Sequence, residues 1–292
     1  MPCVLCFGEL LWDELPGGPR LGGAPANVAY HLAQFGLAAR LVSAVGEDAA
    51  GARALAQLAA AGVDVSLVAR QALLPTGRVS VQLTDEGPRY RIAEGVAWDA
   101  IPGGPPLSAA AATAQAVVFG TLAQRSAANQ AALADLLEAA GKALIVCDLN
   151  FRPPFVTKAT VSESLRRAAV LKLNEEELAA LPALLGMPAG ESFPRSLCEH
   201  YGLRRLYLTR GKAGCRAIDA AGVLDAPAPT VTVADSVGAG DAFTAAMVFG
   251  ELQGWPPARS AATACRVGAF VAGQPGAMPA WPPTLRTRLL SE

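Results

Sequence analysis

Two aspartates enclose a run of very small residues near the carboxyl end of the chain, in VADSVGAGDAFTAA. Helix-forming residues follow, so the run is predicted to form the first turn of a helix over 239–252. Because Gly238, Ala239 and Gly240 lack bulky side chains, their backbone N–H groups can face an anion, and the helix dipole adds positive potential there. Asp241 would project from the same turn, where a carboxylate can take a proton from an attacking hydroxyl. The stretch therefore predicts either a phosphate-handling site or an Asp-capped helix whose glycines serve close packing.

A second glycine-rich stretch, LGGAPANVAYHLAQFG, lies near the amino end. Gly23 and the proline that follows can bring the backbone close to a ligand, and Asn27 falls on the first turn of another predicted helix. Asn27 carries both a donor and an acceptor, which suits vicinal hydroxyl groups. A tight turn followed by an asparagine in a first helical turn would give the same pattern, so a sugar site and a structural turn both remain open.

The chain contains no Walker A loop, and the glycine run at 238–240 does not fit the dinucleotide fingerprint. Gly141-Lys142 and Gly211-Lys212 lack the earlier glycine and the following Ser or Thr of a Walker A loop. Phe243 occupies the third glycine position of the dinucleotide fingerprint G-x-G-x-x-G, which argues against a dinucleotide-dependent dehydrogenase. A nucleotide bound at the glycine run would therefore be held by another design.

The elements that must position these residues follow an α/β rhythm. Short apolar runs alternate with longer helical stretches, and the runs with strand character include CVLCF, ARLVSAVG, QAVVFG, KALIVCDLN, AAVLKLN and RRLYLTRG. This alternation predicts a mostly parallel central sheet covered by helices on both faces, which is a three-layer sandwich.

One section, residues 77–94, breaks that rhythm. GRVSVQLTDEGPRYRIAE alternates apolar and polar residues around a turn at 85–88, which predicts a hairpin with one exposed face. Covering a site as a lid is a common task for such an insertion, and a plain edge hairpin is the alternative.

Composition excludes several classes of protein. Of the 292 residues, 52% are hydrophobic and 17% charged, and the formal net charge of −1 leaves no broad basic face for nucleic acid or anionic lipid. The amino terminus has no signal peptide, and no apolar stretch reaches the ~18 residues of a membrane span. Cys3 and Cys6 form a CxxC without a second Cys or His pair to complete a zinc site. We therefore expect a soluble, cytoplasmic protein with reduced thiols and neither nucleic acid nor membrane as a partner.

Together the two glycine-rich stretches resemble the signatures of the ribokinase-like (PfkB) carbohydrate kinases. GGAPANVAYHLAQFG is similar to the amino-terminal signature, DSVGAGDAF to the carboxyl-terminal one, and GELLWD to a first-strand segment that ends in a sugar-binding aspartate. CDLNFRPP, LKLNEEEL and PTGRVSVQLTDEGPRYRIAEGVAWD resemble the fructokinase branch. The likeness covers about residues 4–282. It implies one ribokinase-like kinase domain over 1–292, a three-layer α/β sandwich with a small β-hairpin lid built from about 10–22 and 77–98.

The resemblance implies an ATP-dependent phosphotransferase that acts on an alcohol group, namely a fructokinase that phosphorylates the O6 hydroxyl of fructose. Asp241 would be the general base, and the anion hole would consist of Val237, Gly238, Ala239 and Gly240. The sugar would contact Asp13, Gly23, Asn27 and Arg152. A structural salt bridge is the alternative role for Arg152.

The nucleotide and the cations are implied by the same likeness. ATP would lie against Asn174, Thr209, Gly211, Gly214 and Cys265. Glu177 would hold Mg²⁺ through water, and Asp235, with carbonyls near Ala272 and Gly276, is placed like a monovalent-cation site, so K⁺ is a possible further cofactor.

Two departures from the family pattern bear on the substrate. Ala24 stands where ribokinases usually carry lysine, which favours fructokinases, and Cys265 replaces an asparagine common near the adenine, so other purine nucleotides stay open. Tyr90 and Trp98 near the lid are aromatic residues that could stack on a base, so a nucleoside kinase remains an alternative. The arginines of the lid hairpin could bind a phosphate, so a sugar phosphate remains an alternative substrate. A kinase for another small sugar or for the sugar acid 2-keto-3-deoxygluconate is a close alternative.

A non-catalytic sugar-binding regulator belongs to a different class of function, and Asp241 with an intact glycine run argues against it. Exposed lid strands could pair across a two-fold axis, so we expect a homodimer through the lid.

Overall fold

The structure, a computed structural model, describes residues 2–15, 17–84 and 87–291, without the side chains of 81–90. The strands of this part of the chain are β1 (Cys3–Phe7), β2 (Leu11–Leu15), β3 (Gly18–Gly22), β4 (Ala38–Gly46), β5 (Val68–Gln71), β6 (Gly77–Thr84), β7 (Gly87–Ile92), β8 (Ala116–Phe119), β9 (Leu144–Asp148), β10 (Val170–Asn174), β11 (Arg205–Thr209), β12 (Cys215–Asp219) and β13 (Gly222–Ala226). The helices are α1 (Ala24–Gln34), α2 (Ala49–Ala60), α3 (Pro105–Ala112), α4 (Ala127–Ala139), α5 (Lys158–Arg167), α6 (Glu175–Leu185), α7 (Phe193–Tyr201), α8 (Ala239–Leu252), α9 (Pro257–Ala272) and α10 (Pro283–Ser291).

The central sheet holds nine of the described strands in the order β13-β12-β11-β10-β9-β8-β1-β4-β5. Seven neighbouring strands of this sheet pair in parallel, namely β11, β10, β9, β8, β1, β4 and β5. At one edge, β12 pairs antiparallel with β11, and β13 pairs antiparallel with β12. The mostly parallel sheet predicted from the α/β rhythm is confirmed. Since the carboxyl ends of parallel strands meet at one edge, the residues that follow β1, β8, β9 and β10 are brought together there.

Helices cover both faces of this sheet and divide the core in two. Successive side chains of a strand point to opposite faces, so Val4 and Cys6 join a core with α1, α2, α8 and α9, while Leu5 and Phe7 join another with α3 to α7. Both cores are lined by fully buried aliphatic residues, and the three-layer sandwich is therefore held by hydrophobic burial on each side of the sheet.

A second, four-stranded sheet has the order β3-β2-β6-β7 and is called the lid sheet below. The hairpin predicted over 77–94 is present as the antiparallel pair β6 and β7, while its turn residues 85 and 86 lie outside the described residues. Trp12 fixes the lid sheet to the body, because its indole N–H donates to the carbonyl of Ala50 at 3.0 Å and the guanidinium of Arg53 stacks 4.0 Å from its ring centroid.

Candidate active site

The glycine run forms the start of α8, as predicted. Gly238 is the residue before the helix and has φ 77°, and a Cβ atom there would lie 2.4 Å from the Cβ of Ala277, so only glycine fits. No side chain caps this helix start. Within the described residues, the N–H groups of Gly238 and Gly240 have no hydrogen-bond acceptor, whereas that of Val237 donates to Asp235 at 3.0 Å and that of Ala239 to the carbonyl of Ser236 at 3.3 Å.

Asp241 lies in the first turn of α8 and meets the first turn of α1. Its Oδ2 accepts a 2.7 Å hydrogen bond from the side-chain amide of Asn27, which is buried. Burial raises the pKa of Asp241 to about 6, and the carboxylate of Asp148 adds to the rise, while Asn27, Lys172 and Arg152 oppose it. The carboxyl group therefore changes charge just below neutral pH, which suits a general base.

A buried ion pair lies beneath this helix start. The ammonium group of Lys172, on β10, donates to both oxygens of Asp148 at 3.0 and 3.1 Å, and the Thr244 hydroxyl donates to Asp148 at 2.7 Å. A Cβ atom on Gly240 would come within 3.2 Å of the Lys172 nitrogen. Burial alone would lower the pKa of Lys172, but the carboxylates of Asp148, Glu177 and Asp241 outweigh it and raise the pKa. Lys172 thus brings a fixed positive charge close to the glycine run.

Glu9, two residues after β1, contacts the start of α1, where the glycine-rich stretch near the amino end lies. Its carboxylate accepts the N–H of Ala24 at 3.2 Å and so caps α1, whose own N-cap residue is glycine. A Cβ atom on Gly23, which has φ 107°, would lie 2.3 Å from the carbonyl oxygen of Glu9. Burial raises the pKa of Glu9 to about 7, and Arg152 partly opposes the rise. Gly23 is therefore needed for the close approach of strand and helix.

The remaining residues of the implied sugar site are Asp13 and Arg152. Asp13 is on β2 of the lid sheet, and a Cβ atom on Gly22 would lie 2.4 Å from its carboxylate oxygen. Burial raises the pKa of Asp13, and Arg152 partly offsets that rise. Arg152 also lowers the pKa of Glu9 and Asp241, so its positive charge acts on all three carboxyl groups, while its guanidinium donates to the carbonyl of Phe151 at 3.0 Å. This electrostatic effect favours a role near the site over a distant salt bridge.

Asn174 and Glu177 form a capping box at the start of α6. The Asn174 side chain accepts the N–H of Glu177 at 2.8 Å, and the Glu177 carboxylate accepts the N–H of Asn174 at 2.8 Å. The second oxygen of Glu177 accepts the N–H of Phe151 at 2.8 Å, which ties α6 to the loop that carries Arg152. Both oxygens of Glu177 are thus occupied by backbone amides, and each keeps one lone pair for a water molecule.

The residues implied for the nucleotide gather beyond β11. Thr209 ends this strand and donates to the carbonyl of Leu173 at 3.3 Å, and Gly211 begins a short 3₁₀ helix with φ 50°. Gly214 has φ 90°, and a Cβ atom there would lie 2.1 Å from the Ala226 carbonyl oxygen. The Cys265 thiol, which is buried, donates to the same carbonyl at 3.6 Å. Cys265 therefore lies behind the loop rather than on its exposed side.

Asp235 is held by the loop that precedes α8 and by the lid sheet. Its Oδ2 pairs with the guanidinium of Arg20 on β3 at 3.2 Å and accepts the N–H of Gly276 at 3.2 Å. Its Oδ1 accepts the N–H of Val237 at 3.0 Å. The carboxylate implied for a monovalent cation is therefore already paired with a cationic side chain.

The position of Trp98 contradicts the prediction that this residue could stack on the base of a nucleoside substrate. Its side chain is completely buried, and the guanidinium of Arg125 stacks 3.9 Å from its ring centroid. It cannot stack on a bound nucleobase, because no face of the ring is accessible. The side chain of Tyr90, the other aromatic residue of that reading, lies outside the described residues.

A cleft of about 930 Å³ lies between α4 and α5, away from the residues above. Gln124, Arg125, Phe155 and Glu163 contribute to its walls, and none of the predicted catalytic or binding residues does. The chemistry is therefore assigned to the edge of the sheet, where the buried charges and the two glycine runs meet.

Sequence reasoning missed Glu9, Asp148, Lys172 and Arg20. A signal existed for Glu9 and Asp148, because each carboxylate ends an apolar run that reads as a parallel strand. Lys172 and Arg20 carry no comparable signal, since a lysine in a strand and an arginine in a lid are normally solvated. In the described part of the chain no cluster of three metal-ligating side chains is found, and no helix is both long and apolar enough to cross a bilayer.

Comparison with known proteins agrees with the two signatures. The family model described as pfkB family carbohydrate kinase matches residues 18–284. A fructokinase of Klebsiella pneumoniae is 30% identical over 260 residues, which cover 85% of this chain and 83% of that protein. The aminoimidazole riboside kinase of Salmonella typhimurium is 28% identical over 241 residues, covering 78% of this chain and 72% of that protein.

Among solved structures, a fructokinase of Xylella fastidiosa with bound ATP superimposes with a TM-score of 0.87 at 25% sequence identity. The superposition covers 99% of this chain and 98% of that chain. The ribokinase-like fold expected from the resemblance is confirmed, with its large mostly parallel sheet and its small second sheet.

Proposed function

The chain belongs to the pfkB family of carbohydrate kinases, phosphotransferases that act on a sugar hydroxyl, and we propose that its own acceptor is the O6 hydroxyl of fructose with Asp241 as general base. The observation that carries the proposal is the 2.7 Å hydrogen bond between Asn27 and Asp241, because it joins the two signature motifs in one site. Ala24 after the double glycine, and the 30% identity to a fructokinase, support fructose as the acceptor.

The proposed chemistry needs positioning and electrostatic stabilisation more than covalent catalysis. With a pKa of about 6, Asp241 is mostly ionised at pH 7 and can take the proton of the acceptor hydroxyl. The free N–H groups of Gly238 and Gly240 would then face the charge that grows on the phosphoryl group. The N–H groups of Val237 and Ala239, also assigned to the anion hole, would contribute only by leaving Asp235 and the Ser236 carbonyl.

Sugar binding is assigned to Asp13, Gly23, Asn27 and Arg152. Asp13 would offer acceptor oxygens and Arg152 donor N–H groups, and the charge of Arg152 acts on the carboxyl groups of both Asp13 and Asp241. Gly23 lets the start of α1 lie against Glu9, because a Cβ atom there would lie 2.3 Å from the Glu9 carbonyl oxygen, and it would present its own backbone to the sugar. Pairs of hydrogen-bonding groups in this arrangement suit neighbouring hydroxyls of a sugar.

ATP is the proposed phosphoryl donor, as in the Xylella fastidiosa fructokinase that was solved with ATP. Thr209, Gly211 and Gly214 would line its phosphates and ribose, and Asn174 would lie beside the phosphates. Cys265 would support this loop from behind, since its thiol is buried against the Ala226 carbonyl.

Mg²⁺ fits this site through water rather than by direct ligation. Both oxygens of Glu177 accept backbone amides, yet each keeps a lone pair for a water molecule, and a magnesium ion commonly keeps several waters beside substrate phosphates. Glu177 would hold the hydrated ion with Asn174 next to it. When bound, Mg²⁺ would neutralise charge on the phosphates.

A riboside is the second candidate acceptor, because the aminoimidazole riboside kinase of Salmonella typhimurium is a relative. The burial of Trp98 speaks against base stacking there. Other small sugars, sugar phosphates and 2-keto-3-deoxygluconate are the remaining alternatives. A cytoplasmic location and a homodimer through the lid sheet stay predictions.

The test is ADP release with ATP and Mg²⁺ across fructose, ribose, 2-keto-3-deoxygluconate, aminoimidazole riboside and fructose 6-phosphate. We expect kcat/KM for fructose to exceed that for every other acceptor by at least about tenfold, which corresponds to about 1.4 kcal/mol. NMR of the product should locate the phosphate on O6. A higher kcat/KM for another acceptor would replace fructose while leaving the kinase assignment intact.

A further inference from the structure

Arg20 connects the lid sheet to the loop that precedes the anion hole. It lies on β3, and its guanidinium reaches Oδ2 of Asp235 at 3.2 Å across 215 positions of sequence. A Cβ atom on Gly276 would lie 3.5 Å from the same guanidinium nitrogen, so the arginine rests against the loop that follows α9. One side chain of the lid sheet thus touches both loops at the base of α8.

Asp235 also contacts the backbone next to the glycine run, so it links Arg20 to that run. Its other oxygen accepts the N–H of Val237, the residue immediately before Gly238. The N–H of Gly276 is bound to the oxygen that pairs with Arg20. A shift of Asp235 would therefore move the backbone whose N–H groups face the phosphoryl position.

The surroundings of Asp235 do not fit a monovalent cation. The carbonyl of Ala272 accepts the N–H groups of Ala234 and Asp235 at 2.9 and 3.2 Å. The carbonyl of Ala277 lies 2.9 Å from the buried imidazole of His31, and burial holds the pKa of that imidazole at about 4, so at neutral pH the bond comes from a neutral ring. A cation would need several of these oxygens together, and a guanidinium already occupies the carboxylate.

The position of Arg20 also relates it to the proposed sugar site. In the antiparallel register of β2 and β3, Arg20 lies directly opposite Asp13. Residues directly opposite each other in antiparallel strands project from the same face of the sheet. The residue proposed to hold the sugar and the residue that holds Asp235 therefore share one face of the lid sheet.

We propose that Arg20 is a positioning residue of the phosphoryl transfer: its guanidinium gives the Asp235 loop the positive charge that a monovalent cation would otherwise supply. The contact exists only while the lid sheet lies over the site, so closure of the lid orders the anion hole. It follows that turnover does not require K⁺.

The exposure of this ion pair suits a contact that must break in each cycle. The side chains of Arg20 and Asp235 are 46% and 24% exposed. Half-exposed pairs of this kind contribute little to stability, so this one can order a loop without locking the lid. A matched control is available, since Arg78 pairs with Glu14 at 2.9 Å inside the lid sheet and reaches neither loop.

The first experiment follows thermal unfolding with ATP and Mg²⁺ in KCl and in choline chloride at equal ionic strength. We expect the same Tm for the unmodified protein in both salts, within about 1 °C. A saturable rise of Tm with K⁺ would overturn the proposal, because it would show a cation at the place assigned to Arg20. This readout does not depend on which sugar is the acceptor.

The second experiment compares Arg20→Gln, Arg20→Lys and Arg78→Gln by hydrogen exchange of residues 234–240 and by turnover with fructose. We expect fructose to protect this segment in the unmodified protein and in Arg78→Gln, but not in Arg20→Gln. Arg20→Gln should lower kcat about tenfold in either salt with KM for ATP little changed, and Arg20→Lys should restore part of the loss.

Arg20→Gln that matches Arg78→Gln in exchange would overturn the proposal. Absence of turnover with fructose in the unmodified protein would count against the proposed acceptor alone, because the comparison of Tm in the two salts uses no sugar and still tests whether a cation binds at the place assigned to Arg20. The failure of the further inference and that of the proposed acceptor are thus distinguishable.

Discussion

The side-chain amide of Asn27 donates a 2.7 Å hydrogen bond to Asp241, although 214 positions separate the two residues in sequence. The bond joins the first turns of α1 and α8, the two helices that begin at the glycine-rich stretches. A residue implied for the sugar and a residue implied for proton transfer are therefore direct neighbours. This contact makes one site out of two motifs, and several measurable consequences depend on it.

Replacement of Asp241 by Asn should stabilise the fold at neutral pH. Because the folded-state pKa of about 6 lies above the unfolded value, the ionised carboxylate destabilises the fold. The penalty is absent near pH 4, accumulates as pH rises from the unfolded pKa through the folded pKa, and stays constant above it. We expect Asp241→Asn to gain on the order of 2 kcal/mol at pH 7 and almost nothing at pH 4, as measured by urea unfolding. Equal stability of the two proteins at pH 7 would contradict the raised pKa.

Removal of the Asn27 side chain should move the acid limb of the kcat profile to higher pH. The amide of Asn27 lowers the pKa of Asp241, so Asn27→Ala should raise that pKa further and leave less of the base ionised near pH 6. A pH profile of kcat at saturating sugar separates this shift from weaker sugar binding, which would appear in KM. An acid limb in the same place as in the unmodified enzyme would show that the hydrogen bond has no such role.

The buried pair of Lys172 and Asp148 should be costly to break from one side. Lys172→Met leaves the carboxylate of Asp148 without its cation, which typically costs about 3–5 kcal/mol. The double variant Lys172→Met with Asp148→Asn removes both charges and should recover most of the loss, because the amide oxygen introduced at position 148 could still accept the Thr244 hydroxyl. Denaturant unfolding of the single and double variants measures both effects. Additive losses in the double variant would mean that the two charges do not interact.

Gly238→Ala should disturb the anion hole, with Gly254→Ala as its control. Both glycines have positive φ, 77° and 65°, so both alanines pay about 1–2 kcal/mol for the backbone conformation. Only the alanine at 238 also meets a neighbour, since its Cβ would lie 2.4 Å from the Cβ of Ala277. We expect Gly238→Ala to lose a further ~1–3 kcal/mol and at least about tenfold in kcat. Equal losses of stability and of kcat in the two variants would show that the loop carrying Ala277 can move away from the new Cβ atom without a free-energy penalty.

Much of the fold follows from local patterns in the sequence. The strands β1, β8, β9 and β10 were predictable because continuous apolar runs bounded by helices indicate a parallel sheet buried on both faces. The start of α8 was predictable because Gly238, Ala239 and Gly240 precede a long helical pattern. The hairpin of β6 and β7 was visible in its alternation of apolar and polar residues.

The parts that sequence could not supply depend on pairs of distant residues. Lys172 and Arg20 have ordinary neighbours in sequence, and their partners Asp148 and Asp235 are found only when the sheet and the lid are assembled. The N-x-x-E spacing of Asn174 and Glu177 was visible in the sequence, but the capping box they form and its use of both Glu177 oxygens were not predicted. Burial of Trp98 was missed because its packing partner, Arg125, comes from another element.

The most direct test of the account is kcat/KM of the unmodified enzyme and of Asp241→Asn for fructose, with ATP and Mg²⁺, between pH 5 and pH 9. Asp135→Asn, the same change at an exposed carboxylate of α4, serves as the control. We predict that the unmodified enzyme loses activity about tenfold per pH unit below about pH 6, and that Asp241→Asn is slower by about 10²–10⁴ with no such limb. An Asp241→Asn enzyme that keeps activity within about tenfold of the control would contradict the assignment of Asp241 as the base.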